Sequence, residues 1–165
     1  MLNIAPSARI SPLADIEDST RGSRIIIEDE VVIDAFVKIK PSGGSGDVVI
    51  GRGTVINSGC VLYTGNGISI GRNVLIAANC TLAPTNHAFG DPDKPIREQG
   101  FQPSRGGIVI GDDVWIGANC VLLDGATIGS GSIIGAASLV RGTLPPFCVA
   151  VGCPAVVRGW RGRQR

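Results

Sequence analysis

Hydrophobic positions in this chain recur every six residues and come in runs of three. They are Ile4, Ile10, Ile16; Ile27, Ile33, Ile39; Ile50, Ile56, Leu62; Ile70, Ile76, Leu82; Ile110, Ile116, Leu122; and Ile128, Ile134, Val140. The first two positions of every row are Ile, and the third is Ile, Leu or Val. A fixed six-residue period is the signature of a stacked architecture and predicts a parallel β-helix. Three columns imply three flat faces, so each row is one triangular coil of about 18 residues. Stacked strands lie ~4.8 Å apart, so six coils predict a prism roughly 29 Å tall. A single coil cannot bury its own apolar column, so stability comes from stacking on neighbours.

The interruptions of the ladder all follow position three: after Ile16, Ile39, Leu62 and Leu82. Every insertion therefore leaves from one corner, and insertions in repeat proteins gather on one face, often the binding face. The longest, residues 83–109, carries the single histidine, His87. Four residues after a ladder position there is usually a small or β-branched residue, as at Ala8, Ala14, Thr54, Cys60, Val74, Cys80, Val114, Cys120, Ala126, Ser132 and Ser138. A tight corner excludes bulk there. Gly follows the ladder residue at 51, 71, 111, 117, 129 and 135, where corners are expected to need a permissive backbone. The ladder stops at Val140, so residues 141–165 read as an irregular tail.

Composition narrows the class. The 165 residues suffice for one domain with a substantial core. Aromatics at 4% and 24 glycines suit a thin aliphatic prism better than a layered globule. A formal net charge of +1 gives no nucleic-acid footprint. No stretch of about 18 apolar residues predicts a membrane span, and the N-terminus lacks a basic-then-apolar leader pattern. Five Cys without a CxxC pair argue against a disulfide framework or a zinc knuckle, and no metal ligand set is expected. Cys60, Cys80 and Cys120 occupy the small-residue corner class and read as packing groups, whereas Cys148 and Cys153 have no assigned role. A reducing cytoplasm is the expected compartment.

Several segments carry a family resemblance. They are Ile70-Gly71-Arg72-Asn73-Val74-Leu75-Ile76-Ala77, Asn86-His87, Ile110-Gly111-Asp112-Asp113-Val114-Trp115-Ile116-Gly117-Ala118-Asn119, Ile134-Gly135-Ala136-Ala137-Ser138, Leu144-Pro145-Pro146 and Val151-Gly152-Cys153-Pro154-Ala155. Together they resemble the hexapeptide-repeat acyltransferases. Residues 48–158 are most similar to the galactoside, maltose and surface-polysaccharide O-acetyltransferases, whereas residues 1–47 share only the repeat. The resemblance implies an all-β fold: a left-handed parallel β-helix of about six triangular coils (residues 4–140), with the 83–109 loop inserted at a corner and an irregular C-terminal tail. The left hand departs from the usual right-handed crossover. It also implies a homotrimer with sites between subunits, and acetyl-CoA as co-substrate.

Acyl transfer from a thioester to a hydroxyl needs a base, an oxyanion donor and alignment of both substrates. Histidine titrates near neutrality and suits the base role. His87 matches the family's catalytic histidine; the alternative is a loop histidine bonded within its own turn. Asn57 aligns with the family's acceptor-contacting asparagine, with a corner side chain satisfied by backbone as the alternative, and Asn86 is a second acceptor candidate. Asn57 and His87 fall near different corners, so they are expected to meet only across a subunit boundary. The family's acidic acceptor residue has no equivalent here.

Trp115 alternates with inward Val114 and Ile116, so it is expected outside. There it flanks the CoA channel of the family or is covered by the long loop or a partner subunit. Backbone N–H groups near Gly117 and Ala118 are candidate oxyanion donors and pantetheine contacts. Ala136 and Ala137 match positions where small size admits the pantetheine arm, although a corner also demands small residues. Gly152, Pro154 and Ala155 match the Gly-x-Pro-Ala segment near the adenine. Arg141, Arg158, Arg161 and Arg163 are phosphate candidates, with a solvated basic terminus the equal alternative for Arg161, Arg163 and Arg165. Mixed charge from Asp91 to Glu98 reads as solvated surface on a loop that frames the acceptor pocket.

The function expected is O-acetylation of a sugar hydroxyl by direct transfer, in surface-polysaccharide or lipopolysaccharide synthesis. N-acetylation of an amino-sugar nucleotide is the alternative. Serine acetyltransferases carry a helical N-terminal region missing here, and the xenobiotic acetyltransferases are a lesser option. A γ-type carbonic anhydrase needs three histidine ligands, against one in this chain. A non-catalytic scaffold need not keep the histidine, the outward Trp or the Gly-x-Pro-Ala segment.

Overall fold

A computed structural model describes residues 1–162. Strands of two to five residues run along three sheets, and apart from the last strand each sheet is parallel and takes every third strand in chain order. The first face holds seven strands, from Leu2–Ile4 to Thr143–Leu144; the second holds eight, from Arg9–Ile10 to Val156–Trp160; the third holds six, from Asp15–Ile16 to Leu139–Val140. Ladder residues pair with ladder residues: Ile27 with Ile50, Ile76 with Ile116, Leu82 with Leu122. This register follows from burial, because a one-residue slip would turn each apolar column outward. From Ile27 to Val140 every ladder side chain is at most 2% exposed. The first coil is open: Ile4 is 39% exposed and Ile10 and Ile16 are half-buried, since no described residue stacks beneath them. Among the described residues no helix is long and apolar enough to cross a membrane.

The small-residue positions do line the corners from inside. Cys60, Cys80 and Cys120 stack there fully buried, their thiols donating to the carbonyls of Ala77, Gly117 and Gly135. The Cys80 thiol beside it and burial push the Cys120 thiol above the ordinary range, which suits packing rather than nucleophilic attack.

The corner glycines need a different explanation from the one expected. None of Gly51, Gly71, Gly111, Gly117, Gly129 and Gly135 has a positive φ. The reason for glycine is close approach: a Cβ on Gly117 would lie 2.5 Å from the backbone nitrogen of Ala136 in the next coil. Left-handed backbone falls two residues further on, at Asn73, Asp113, Asn119 and Ala137 (φ 54° to 60°). Asn and Asp tolerate that region through local side-chain bonding.

The tail is not irregular and does not leave the prism. Leu144 stacks on Ile128 and Ala150 stacks on Ile134, so the first two faces gain a seventh rung. Cys148 fills the small corner position, buried beneath Ser132 at 3.6 Å. The ladder hid this rung because the step from Val140 to Leu144 is shortened and Ala150 is small. Residues 152–155 then dock on the third face, where Gly152 accepts from Leu139 N–H and Ala155 N–H donates to Leu139. Val156–Trp160 folds back antiparallel on Cys148–Val151 and caps that end.

Candidate active site

All insertions leave the corner between the third and first faces, as their positions in the chain required. The long one runs from the end of Thr81–Ala83 to the start of Ile108–Ile110. Its departure is seated on the coil below: Asn66 N–H donates to Pro84, and Thr85 occupies space left by two glycines, since a Cβ on Gly43 would meet its hydroxyl at 2.9 Å. Its two limbs pair as a short antiparallel ladder. Ala88 N–H donates to Gly100, Gln102 N–H to Asn86, and His87 bridges Phe101. Gln99 ties the tip together by bonding Asp91 and Lys94.

The return limb is clamped by Asp124, which is only 2% exposed. Its two carboxylate oxygens accept the backbone N–H groups of Arg105 (2.8 Å) and Gly107 (2.9 Å). Gly107 in turn accepts from Gly125 N–H, and Ile108 N–H donates to Gly67. The loop is thus fixed at both ends to the coils above and below it.

His87 lies exposed on the wall of a cavity of about 420 Å³ at this corner. Tyr63, Phe101, Thr85 and Ala83 share the lining with Ser42 and Gly43. The His87 ring packs on Phe101 with centroids 4.8 Å apart and planes inclined by 38°. Among the described residues no group hydrogen-bonds the imidazole, so packing sets its orientation. The arrangement can present an imidazole nitrogen to a neutral ligand in a site lined by two aromatic rings and several small residues.

The other expected residues lie elsewhere on the prism. Asn86 does not line this cavity; its carbonyl is used in the loop ladder. Asn57 sits at the corner between the second and third faces and donates its side-chain N–H to Ile76 at 2.8 Å, so part of its amide serves the coil. Gly117, Ala118, Ala136 and Ala137 stack at the same corner, with Ala137 N–H donating to Ala118. Gly117 N–H is committed to Ile134 at 2.8 Å, which removes it as an oxyanion donor. Ala118 N–H has no partner among the described residues and remains a candidate.

Trp115 points outward, 53% exposed, between buried Val114 and Ile116. It borders a cavity of about 210 Å³ with Leu75, Ile133 and Arg161. The long loop, on another corner, does not cover it. Arg161 is exposed, but its guanidinium pairs with Asp113 at 2.7 Å and also donates to Gly131, so it is already engaged within the prism. Arg141, Pro154 and Ala155 meet at a smaller hollow of about 160 Å³ on the third-to-first corner, near Gly152. Arg158 is exposed on the capping strand. Arg163 and Arg165 lie outside the described residues.

Tyr63, Phe101 and Asp124 escape a reading based on the ladder. Tyr63 and Asp124 carry a faint signal, because each follows position three at the insertion corner. Phe101 carries none, since its place depends on how the loop folds back.

A family model described as bacterial transferase hexapeptide (six repeats) matches residues 107–142, and one described as hexapeptide repeat of succinyl-transferase matches residues 47–84. The chain is 40% identical over 120 residues to the galactoside O-acetyltransferase of Escherichia coli, covering 72% of this chain and 57% of that protein. It is 41% identical over 110 residues to a probable acetyltransferase of Mycobacterium tuberculosis, covering 67% and 34%. It is 30% identical over 119 residues to the putative lipopolysaccharide biosynthesis O-acetyl transferase WbbJ of Escherichia coli, covering 69% and 61%. Among solved structures, a variant of AntD, an N-acyltransferase from Bacillus cereus in complex with dTDP-4-amino-4,6-dideoxyglucose and coenzyme A, superposes with a TM-score of 0.81 at 26% identity, over 98% of this chain and 84% of that one. A maltose O-acetyltransferase from Clostridium difficile shares the fold, with a TM-score of 0.65 at 23% identity over 98% and 70%. The prism is a left-handed parallel β-helix, and the chain belongs to the hexapeptide-repeat acyltransferase family. It spans less than two thirds of the length of these curated relatives.

Proposed function

We propose that this protein is an acetyl-CoA-dependent O-acetyltransferase acting on a sugar hydroxyl, in surface-polysaccharide or lipopolysaccharide synthesis in the cytoplasm. The observation that carries the reading is His87, the single histidine, standing on the wall of a 420 Å³ cavity at the corner from which every insertion leaves. His87 takes the proton of the acceptor hydroxyl as that oxygen bonds to the acyl carbon, and returns it to the departing sulfur. Bound acetyl-CoA supplies the acyl group, already activated as a thioester. Ala118 N–H is the candidate donor to the carbonyl oxygen as it gains charge. The described residues fit such a co-substrate: the corner column of Gly117, Ala118, Ala136 and Ala137 has no large side chain to obstruct a pantetheine arm. At the end of the prism Arg141 borders the hollow formed with Pro154 and Ala155, where a phosphate and adenine would be held.

His87 and Ala118 occupy different corners of one chain, so the reading requires a second copy to complete each site, as in a homotrimer. In support, the outer side of the second face carries Val32, Val55, Leu75, Trp115, Ile133 and Val149 in register, an apolar stripe suited to burial against another copy. Light scattering should give three chains per particle; a monomer at working concentration would remove the intersubunit site.

N-acylation of an amino-sugar nucleotide is the second reading, favoured by the close superposition on AntD. Thiol release from acetyl-CoA with neutral glycosides and with amino-sugar nucleotides as acceptors separates the two. The O-transfer reading predicts turnover with a glycoside, and turnover only with amino-sugar nucleotides would replace it.

A further inference from the structure

The cavity beside His87 is unusual in what its lining omits. Among the described residues that border it, none is Asp, Glu, Lys or Arg. The nearest cation in register, Lys40, pairs with Tyr63 across the third face but is held by Asp15 at 2.6 Å and Glu17 at 3.1 Å. The described residues of this chain therefore offer no charge there to a pyrophosphate or a carboxylate. They offer two exposed aromatic rings instead. Tyr63 is 38% exposed and Phe101 is 48% exposed, and the single Tyr of this aromatic-poor chain is spent here. Phe101 is held by its bridge to His87 and by the bond from Gln102 N–H to Asn86, while Tyr63 stands on a strand paired on both sides. Both rings are thus placed by rigid backbone, at low entropic cost for a ligand that stacks on them.

Pyranose rings have hydroxyl groups around the edge and a patch of C–H bonds on a face. An aromatic face carries negative charge density and attracts the polarised C–H groups of that patch. A cavity of about 420 Å³ lies within the range used for small ligands. We propose that Tyr63 and Phe101 form the acceptor subsite, holding the C–H face of one uncharged pyranose unit so that an edge hydroxyl meets His87. This rests on the reading of His87 as the base. On this chain's side the subsite favours a neutral glycoside or glycan end over a nucleotide-linked sugar, because none of its described lining residues compensates a diphosphate. Ser42, at the exposed rim, offers a hydroxyl to the ring hydroxyls.

Saturation-transfer NMR on the full chain tests this, with methyl β-galactopyranoside, methyl α-glucopyranoside and UDP-N-acetylglucosamine as probes. At least one neutral glycoside should receive saturation on the protons of a single face, with wild type and with His87→Ala alike. The signal should fall severalfold in Tyr63→Ala and in Phe101→Ala and persist in Tyr63→Phe, which keeps the ring. In thiol-release assays Tyr63→Ala should raise the acceptor KM about tenfold and leave the acetyl-CoA KM unchanged. No saturation of any neutral glycoside by wild type, or undiminished saturation in the Tyr63→Ala/Phe101→Ala double variant, overturns the subsite. Failure of the two readings is distinguishable. Ring-dependent glycoside binding without acetyl transfer would remove the His87 mechanism and keep the subsite. Glycoside acetylation indifferent to both rings would keep His87 and remove the subsite.

Discussion

Asp124→Ala is the perturbation that links the prism to the pocket most directly. The carboxylate is buried, 2% exposed, and bonds two backbone N–H groups at the point where the long loop rejoins the coil. Gly107 is buried, so its N–H would have no solvent to replace the lost acceptor. A hydrogen bond to a charged group is worth about 1.5–3 kcal/mol, and an orphaned buried donor costs a similar amount. Arg105 is exposed, and its N–H can turn to water, so it adds about 0.5–1 kcal/mol. The sum is a loss of about 2–4 kcal/mol, equivalent to a fall in Tm of roughly 5–12 °C for a domain of this size. The loop should also open to limited proteolysis between residues 88 and 105 before the prism unfolds, because Phe101 and the return limb lose their anchor. Asp124→Asn keeps one carbonyl acceptor and should fall between the two. The assay is thermal denaturation alongside timed proteolysis. A variant that melts within about 1 °C of wild type and resists cleavage equally would refute the clamp.

Four further outcomes follow from the same geometry. Ile76→Ala, in the middle of the stack and fully buried, should cost about 2–5 kcal/mol in urea unfolding. Ile10→Ala, on the open first coil, should cost less than half of that, and equal losses would contradict the end-open packing. Gly117→Ala should lower Tm measurably, because its Cβ would sit 2.5 Å from backbone in the next coil, whereas Gly90→Ala, with nothing within 4 Å, should leave Tm unchanged. The Arg24 guanidinium holds the Asp47 carboxyl below its ordinary value of 3.8. A depressed folded pKa gives a contribution that is complete above pH about 4 and is lost as pH falls through the folded value. Urea midpoints of wild type should therefore drop more steeply than those of Asp47→Asn below pH 4, and parallel curves would show the pair to be without effect.

The prism was legible in the chain because its cause is periodic. A strand face repeats at fixed spacing, so Ile27, Ile50, Ile70 and Ile110 announce a column by position alone, and interruptions confined to one position locate the loop. What breaks the period was harder to read. The seventh rung was hidden by a shortened step before Leu144 and by Ala150, whose small side chain carries no ladder signal. The corner glycines were located correctly, but their cause is inter-coil contact, which depends on stacking distance and not on a residue's own conformational preference. His87 was singled out by its place on the long insertion. Its neighbours were not, because Phe101 reaches it only through the antiparallel pairing of the loop limbs. Gly117 N–H matched a family pattern yet is spent on Ile134, a bond visible only once the coils are stacked.

The central claim is that His87 serves as a base for acetyl transfer to a sugar hydroxyl. Release of free thiol from acetyl-CoA, followed with a panel of neutral glycosides for wild type and His87→Ala, tests it most directly. The account predicts acceptor-dependent release that falls by at least about a hundredfold in the variant, in keeping with loss of a general base, while glycoside binding is retained. Release that survives the substitution would contradict it.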